Sequence, residues 1–528
     1  APVSKPQRTK KAPLRPLPPE VGTVEKRKAN YNVLYPEVGS VSNGKTRITA
    51  SSSGHIMLSD GDDCISYSDF DRFSLSGGLC AVAEVGGKII SAVPLGYTDE
   101  SLDTDFSFSC GTDRITYSSF HRGEDFSCGF SVSLSVSPEY PEFIISARLN
   151  AASPESKIML CFEPVMRGEK AYKAHKCFSG LFLEFDYESG EKSVIVRRRP
   201  RGGEEATFLG ITASAKNGFE FDTGTDGLSF CNGEKAIAEL IKIPCGERTG
   251  APTVPLFRAV CKNSKSAVFS IGYSKNRDDI MYFLGKKRGK VSLGSICAMM
   301  KSAAGIGPYA DAMESYLLRA VHFPQAEGSG GEEMLFRQVK TSNFYRFSGS
   351  GELPIVAVRF FRPGGKQSEN LKAMIGMFRY ACIRGLRFDL VILYRESDEY
   401  RQSMLSHVKK LVRDMGCESF ISVDGGIFPI NADKLTESEK YALMRKCGAV
   451  CDSSLPLSVT LLSNKYFTPL PKSAERILCS PSRRDVTACA APAVRGAIKK
   501  VAGGMFYRGG FRCNKKEVKR PRAQRVAT

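Results

Sequence analysis

Residues Phe130-Ser-Val-Ser-Leu-Ser-Val136 alternate apolar and small polar side chains without a break. A period of two places alternate side chains on opposite faces of an extended chain. This segment can therefore bury its Phe, Val and Leu together only as a strand with one face on a core and the other toward solvent. The surrounding chain repeats the signal. Phe143–Leu149, Ile158–Phe162, Leu181–Phe185, Ser193–Arg197 and Ala267–Ile271 read as further strands. Turn residues such as Glu188-Ser-Gly190, Lys216-Asn-Gly218 and Cys231-Asn-Gly233 separate them. Many short strands with almost no helical periodicity predict a large antiparallel β-sandwich over residues 29–285.

The pattern changes on both sides of this region. Residues 1–28 are basic and proline-rich and read as a linker. Residues 286–345 read as a helical linker, in which Pro308 to His322 carries Ala312, Tyr316, Leu317 and Ala320 near one face. Residues 346–455 alternate strand and helix. Leu353–Phe360 and Phe388–Leu393 are near-continuous apolar runs, and Ser419–Val423 reads as a third strand. Between the first two, Ser368 can cap a helix with Leu371, Met374, Ile375, Phe378 and Cys382 at helical spacing, ended by Gly385. Tyr400, Met404, Val408, Leu411, Val412 and Met415 form a second stripe. Thr436-Glu-Ser-Glu439 is a capping box. This predicts a small α/β module with a parallel sheet. Residues 456–528 read as a basic, mostly irregular tail. The fold class is thus mixed and multidomain: a super-sandwich, a helical linker and an α/β module. A chain of 528 residues is too long for one compact core.

Charge is concentrated at the ends. The whole chain is +19, but residues 1–28 carry a net +6 and residues 472–528 a net +12, leaving +1 for the body. Such a distribution argues against a specific nucleic-acid face. No apolar run reaches the roughly 20 residues of a membrane span, and the start has no apolar signal-peptide segment. The 17 cysteines follow no framework and read as reduced and mostly buried. Cys447 and Cys451 could share a helix end but lack further ligands for zinc. Asp60-Gly-Asp-Asp63 lacks the spacing of a calcium loop and reads as a turn. His175 lies between two candidate strands and reads as structural. No phosphate loop, nucleophile elbow or metalloprotease helix is present, and Ser348-Gly-Ser-Gly351 precedes a strand instead of following one. Neither a metal nor a cofactor is expected. Arg197-Arg-Arg-Pro-Arg201 has two readings: a solvated strand end paired with acids, or a clamp for anions or sugar hydroxyls.

Several segments together resemble the glycoside phosphorylases of glycoside hydrolase family 94, formerly glycosyltransferase family 36. Those most similar are the C-terminal half of cyclic β-1,2-glucan synthases and the 1,2-β-oligoglucan phosphorylases. The carrying residues are Leu34 to Thr49 with Ser42-Asn-Gly44, then Ala174-His-Lys-Cys-Phe-Ser-Gly-Leu-Phe182, and Arg197-Arg-Arg-Pro-Arg201. Ser350-Gly-Glu-Leu-Pro-Ile355, Phe388–Leu393 with Tyr400-Arg-Gln402, Gly425-Gly-Ile-Phe428 and Met505–Phe511 follow in order. The family's tryptophan-bearing stretch after the first Ser-Asn-Gly is replaced here by Cys64–Arg72, and this chain has no tryptophan.

The resemblance implies a carbohydrate-associated, non-catalytic N-terminal part of a β-glucan phosphorylase or cyclic β-1,2-glucan synthase. The family's (α/α)6 barrel, which carries the catalytic acid and the phosphate site, is expected beyond Phe511. No catalytic residue transfers to this chain. The implied partners are a β-glucan or oligosaccharide, the barrel domain, and inorganic phosphate in the full-length enzyme only. The implied location is cytoplasmic, or the cytoplasmic face of the inner membrane for a synthase. Tyr67, Asp69, Asp71 and Arg72 in the replaced segment, with Arg198, are the candidate carbohydrate-binding residues. A scaffold without sugar binding, and nucleic-acid binding through the tails, are the other readings.

Overall fold

The computed structural model describes residues 26–30, 36–71, 74–75, 77–151, 155–224, 227–284, 292–307, 310–323, 353–396, 402–437, 439–440, 443 and 447–454. The tail from 456, the Ser350–Ile355 motif up to 352, Tyr400-Arg-Gln402 up to 401 and Met505–Phe511 lie outside the described residues.

A nine-stranded antiparallel sheet dominates. Its strands run in the order Lys26–Asn30, Asp103–Gly111, Ile115–Gly123, Phe126–Val136, Glu142–Asn150, Ser266–Ser274, Thr207–Ala215, Ser193–Arg198 and Leu183–Glu188. The alternation that opened the sequence reading sets which side faces in. Cys128, Phe130, Val132, Leu134 and Val136 are buried, while the intervening serines face outward. The linker boundary at residue 28 falls inside the edge strand Lys26–Asn30, which pairs with Asp103–Gly111.

Two five-stranded antiparallel sheets complete the domain. One contains Glu220–Thr223, Phe257–Lys262, Ser156–Phe162, Leu79–Val85 and Lys88–Ser91; the other contains Pro164–Gly168, Asp63–Ser66, Ile56–Asp60, Thr46–Ser51 and Val38–Ser42. One apolar core joins all three, with Phe130, Phe143 and Phe269 from the large sheet, Phe162 and Phe257 from the first small sheet, and Ile48 and Ile65 from the second. Non-directional burial of this kind is the main stabilising term. The Asp60–Asp63 segment is a hairpin turn, with Gly61 at φ +57 and Asp60 accepting from Thr46 Oγ1 at 2.7 Å.

The helix Arg277–Leu284 covers part of the large sheet's outer face. A Cβ on Gly210 would stand 2.1 Å from Ile280 Cγ2, so only glycine lets the helix lie this close.

The α/β module has four parallel strands in the order Ile427–Asn431, Asp389–Tyr394, Ile355–Phe360 and Cys447–Asp452. Both faces are buried, which explains the unbroken apolar runs. Val356, Val358, Leu390 and Ile392 pack under the helices Gly365–Ile383, Ser403–Asp414 and Ala310–His322; Ile355, Ala357, Val391 and Leu393 pack against Leu435 and Leu443. The helix expected at Ser368 starts three residues earlier, and its Oγ accepts from Gly364 N at 3.2 Å. The Thr436–Glu439 box forms in both directions.

Two readings of this module need correction. Ser419–Val423 is not the third strand. Glu418–Phe420 is a 3-10 turn that seats Phe420 against Phe378, with ring centroids 5.6 Å apart, and the strand is Ile427–Asn431 beyond Gly425-Gly426. Cys447 and Cys451 lie on a strand, not a helix end. Every described cysteine is free, and most are buried, as expected.

The two regions share a seam. Val38, on the edge of a small β-sheet, belongs to the module's apolar core, and the helices Leu293–Ala304 and Ala310–His322 fill the space between. The segment read as a helical linker therefore acts as packing material on both sides. Three fully or nearly fully buried charges lie there. Arg384 Nε meets Glu314 Oε2 at 2.9 Å, Arg384 Nη2 donates to Ser40 O at 2.9 Å, and Arg47 Nη1 donates to Arg384 O at 3.3 Å. Among the described residues no helix is long and apolar enough to cross a membrane.

Candidate functional site at the 174–182 and 197–201 junction

Register builds this site. Leu183 stands opposite Arg198 in the hairpin Leu183–Glu188 and Ser193–Arg198. Residues just before 183 and just after 198 therefore leave the sheet at the same end. The chain reaches that end through two short helices, Glu169–Ala174 and Lys176–Gly180, broken at His175. His175 is exposed there, contrary to its reading as a structural histidine between strands.

The junction is closed by arginines. Arg199 N donates to Phe182 O at 2.9 Å and Arg199 Nη2 to Leu181 O at 2.8 Å. Arg201 Cζ lies 4.8 Å from the Phe178 ring centroid and 5.7 Å from that of Phe182. The two rings pack edge to face at 5.3 Å, and Phe178 is 41% exposed. A cation held over an aromatic face is electrostatically favourable. The alternation of the strand separates the run. Arg197 and Arg199 point outward to Glu184, at 4.0 and 3.3 Å, as the paired-strand-end reading expects. Arg198 points inward and is 4% exposed, with Nη1 donating to Ser179 O at 3.1 Å.

Tyr67 is not an open platform. It is 7% exposed and packs with Cys64, Val165 and Tyr172, whose ring centroid is 5.4 Å away. Lys173 Nζ and Lys176 Nζ lie 5.3 and 5.2 Å from its ring centroid. Burial pushes the phenol well above its usual range, and Asp69 adds to the shift. Asp69 itself binds Lys176 Nζ at 2.6 Å, which ties the replaced segment to the helix carrying Phe178. Asp71 is used locally: its carbonyl bonds His55 Nε2 and its carboxylate accepts from Ser74 N at 3.1 Å. Arg72 lies outside the described residues. Tyr67, Asp69 and Arg198 thus all attach to the 169–180 helical pair, at different points along it.

Glu163 escaped the sequence reading. Its Oε1 accepts from Phe230 N at 2.9 Å, and burial raises its pKa against the opposing effects of that N–H and of Lys176. No local pattern marks it, since it simply follows the apolar strand ending at Phe162. Among the described residues no cluster of His, Cys, Asp and Glu could hold a metal ion.

No family model and no curated protein matches the sequence. Among solved structures, the chain is similar to a bacterial glucoamylase complexed with acarbose, at 7% identity and a TM-score of 0.33, over 76% of this chain and 63% of that one. A family GH92 inverting mannosidase from Bacteroides thetaiotaomicron gives 8% identity and 0.24, over 50% and 34%. A GH36 α-galactosidase from Geobacillus stearothermophilus in complex with stachyose gives 8% and 0.15, over 77% and 64%. The chain therefore spans under two thirds of each of these neighbours. All three are glycoside-cleaving enzymes by name.

Proposed function

We propose that the β-rich domain is the carbohydrate-binding part of a β-glucan phosphorylase or cyclic β-glucan synthase, contributing sugar contact while glycosyl chemistry belongs to a barrel domain. One observation carries the reading. Two of the segments that bear the family resemblance, Ala174–Phe182 and Arg197–Arg201, close on each other through Arg198, Arg199 and Arg201. Together they offer what a neutral sugar needs: an exposed aromatic edge at Phe178, flanked by the hydrogen-bond donors of Arg201. Inorganic phosphate, the barrel and the cytoplasmic setting belong to the proposal through the resemblance alone.

Titration calorimetry with β-1,2-glucooligosaccharides tests it. Binding at millimolar or better, weakened about tenfold (roughly 1.4 kcal/mol) by Phe178→Ala, is the expected outcome. No heat at tens of millimolar ligand, or equal affinity in the variant, would sink it. The scaffold reading has its own support. Tyr67 is covered by two lysines and Asp69 is neutralised by one of them, so this patch is saturated by internal contacts.

A further inference from the structure

Arg198 and Thr207 face each other across the strands Ser193–Arg198 and Thr207–Ala215. Val196 and Leu209, two residues inward on each strand, belong to the main core, so both side chains lie on the core-facing side of the large sheet. Tyr273 stands opposite Leu209 on that same face. The second five-stranded sheet approaches from the other side with Asp63 and Arg167 on paired strands.

Nearly every charge here has a partner. Tyr273 OH donates to Asp63 Oδ2 at 2.7 Å, Arg167 Nη2 meets Glu204 Oε1 at 3.2 Å, and Lys275 Nζ meets Glu205 Oε2 at 2.7 Å. Arg198 differs. Its hydrogen bonds run from Nη1 to Ser179 O and Oγ, and Nη2 is buried without an acceptor. Thr207 Oγ1 is buried and also lacks one; it leans toward the Tyr273 oxygen without completing a hydrogen bond. A buried guanidinium without a bonded anion is costly. Burial first, then the neighbouring Arg167 cation, lower the pKa of Arg198, against the raising effects of Glu204, Tyr273 and Asp63. The largely exposed loop 199–206 connects the two strands.

We propose that the buried donors of Arg198 and Thr207 bind one oxyanion, a phosphate or a carboxylate, which accepts from Arg198 Nη2 and the Thr207 hydroxyl. The group arrives either as a free ion or on a saccharide such as a uronic acid. Because Arg198 also abuts the Phe178–Phe182 junction, the saccharide form rests on the proposed carbohydrate function; the free-ion form does not.

The test uses the whole chain at low ionic strength, where screening is weak. Inorganic phosphate, glucuronate and glucose are titrated separately by calorimetry and thermal shift. Phosphate or glucuronate should bind saturably and raise Tm, as any ligand selective for the native state does, and glucose should not reproduce the effect. Arg198→Lys keeps the charge but loses the fork and should weaken anion binding at least tenfold; Thr207→Val should weaken it severalfold. Glucuronate binding tighter than phosphate identifies the saccharide source, and the reverse identifies the free ion. Absence of saturable anion binding, or wild-type affinity in Thr207→Val, overturns the proposal; the second arm holds even where an Arg198 variant fails to fold. Phe178→Ala should lose oligosaccharide and keep phosphate, so the two proposals can fail separately.

Discussion

Replacing Glu314 with Gln should cost about 3–5 kcal/mol, the usual effect of removing one partner of a buried ion pair. Among the described residues, Glu314 is the one acid bonded to two buried guanidiniums in this seam: Arg384 at 2.9 Å and, more loosely, Arg47 at 3.9 Å. Ser40 Oγ adds a 3.0 Å hydrogen bond, and Arg384 Nη1 reaches Cys297 Sγ at 3.2 Å. Burial and the Arg384 charge pull the Arg47 pKa down to about 10 against the raising effect of Glu314. Without the carboxylate, two cations would face each other out of water. The loss is a large part of the 5–15 kcal/mol that holds a typical domain. Because the three charges come from the strand Thr46–Ser51, the helix Ala310–His322 and the end of the helix Gly365–Ile383, the two regions should also separate. Urea unfolding of Glu314→Gln is expected to show a lower midpoint and two transitions. Adding Arg47→Met should recover part of the loss by removing the repulsion. A single transition shifted by under about 1 kcal/mol, well below the buried-pair range, would mean that the seam is not held this way.

Acid should weaken the same seam. His55 is fully buried, with Nδ1 2.7 Å from Ser68 Oγ and Nε2 on the Asp71 carbonyl, so Nε2 carries the proton and Nδ1 accepts from the hydroxyl. Phe70 stacks between it and His322, at 5.4 and 4.2 Å. Burial lowers the pKa of His55 to about 4, partly opposed by the Asp71 carbonyl, Asp69 and Glu234. It lowers that of His322 to about 3, helped by Arg47, Lys173 and His55.

Both folded-state values lie below the unfolded value of about 6.5, so the unfolded chain binds more protons in between. Stability from keeping these rings neutral is fully present above pH 6.5 and is lost as the pH falls through the folded values. The effect is on the order of 3 kcal/mol for His55 and about 5 kcal/mol for His322. Denaturation at pH 7.5, 6, 5 and 4 should show a steady decline that His322→Phe makes shallower. An identical slope in that variant would contradict the assignment.

Legibility followed periodicity. The alternation at Phe130–Val136 revealed a half-buried strand because one face meets a core and the other meets water. The runs at Ile355 and Asp389 revealed strands because both faces are covered. The Ser419–Val423 error arose because Phe420 is apolar for a tertiary reason, its contact with Phe378, and not for a strand's. The site was legible as two motifs and no further. Nothing in the spacing of Phe178 and Arg201 says that they meet; the Leu183–Arg198 register decides it. Tyr67 is a candidate sugar contact by sequence, but the lysines that cover it come from residues 173 and 176, about a hundred positions away. Glu314 was not singled out, because a buried acid in a helix carries no signal until its arginines from positions 47 and 384 are in place.

Amide hydrogen exchange with and without a saturating β-1,2-glucooligosaccharide tests the carbohydrate assignment most directly, since it reports local opening along the chain. The account predicts slower exchange in peptides covering 174–182 and 199–206, with the strands at 355–360 and 389–394 unchanged. Unaltered exchange at both junction segments under saturating ligand, or protection confined to the α/β module, would contradict it.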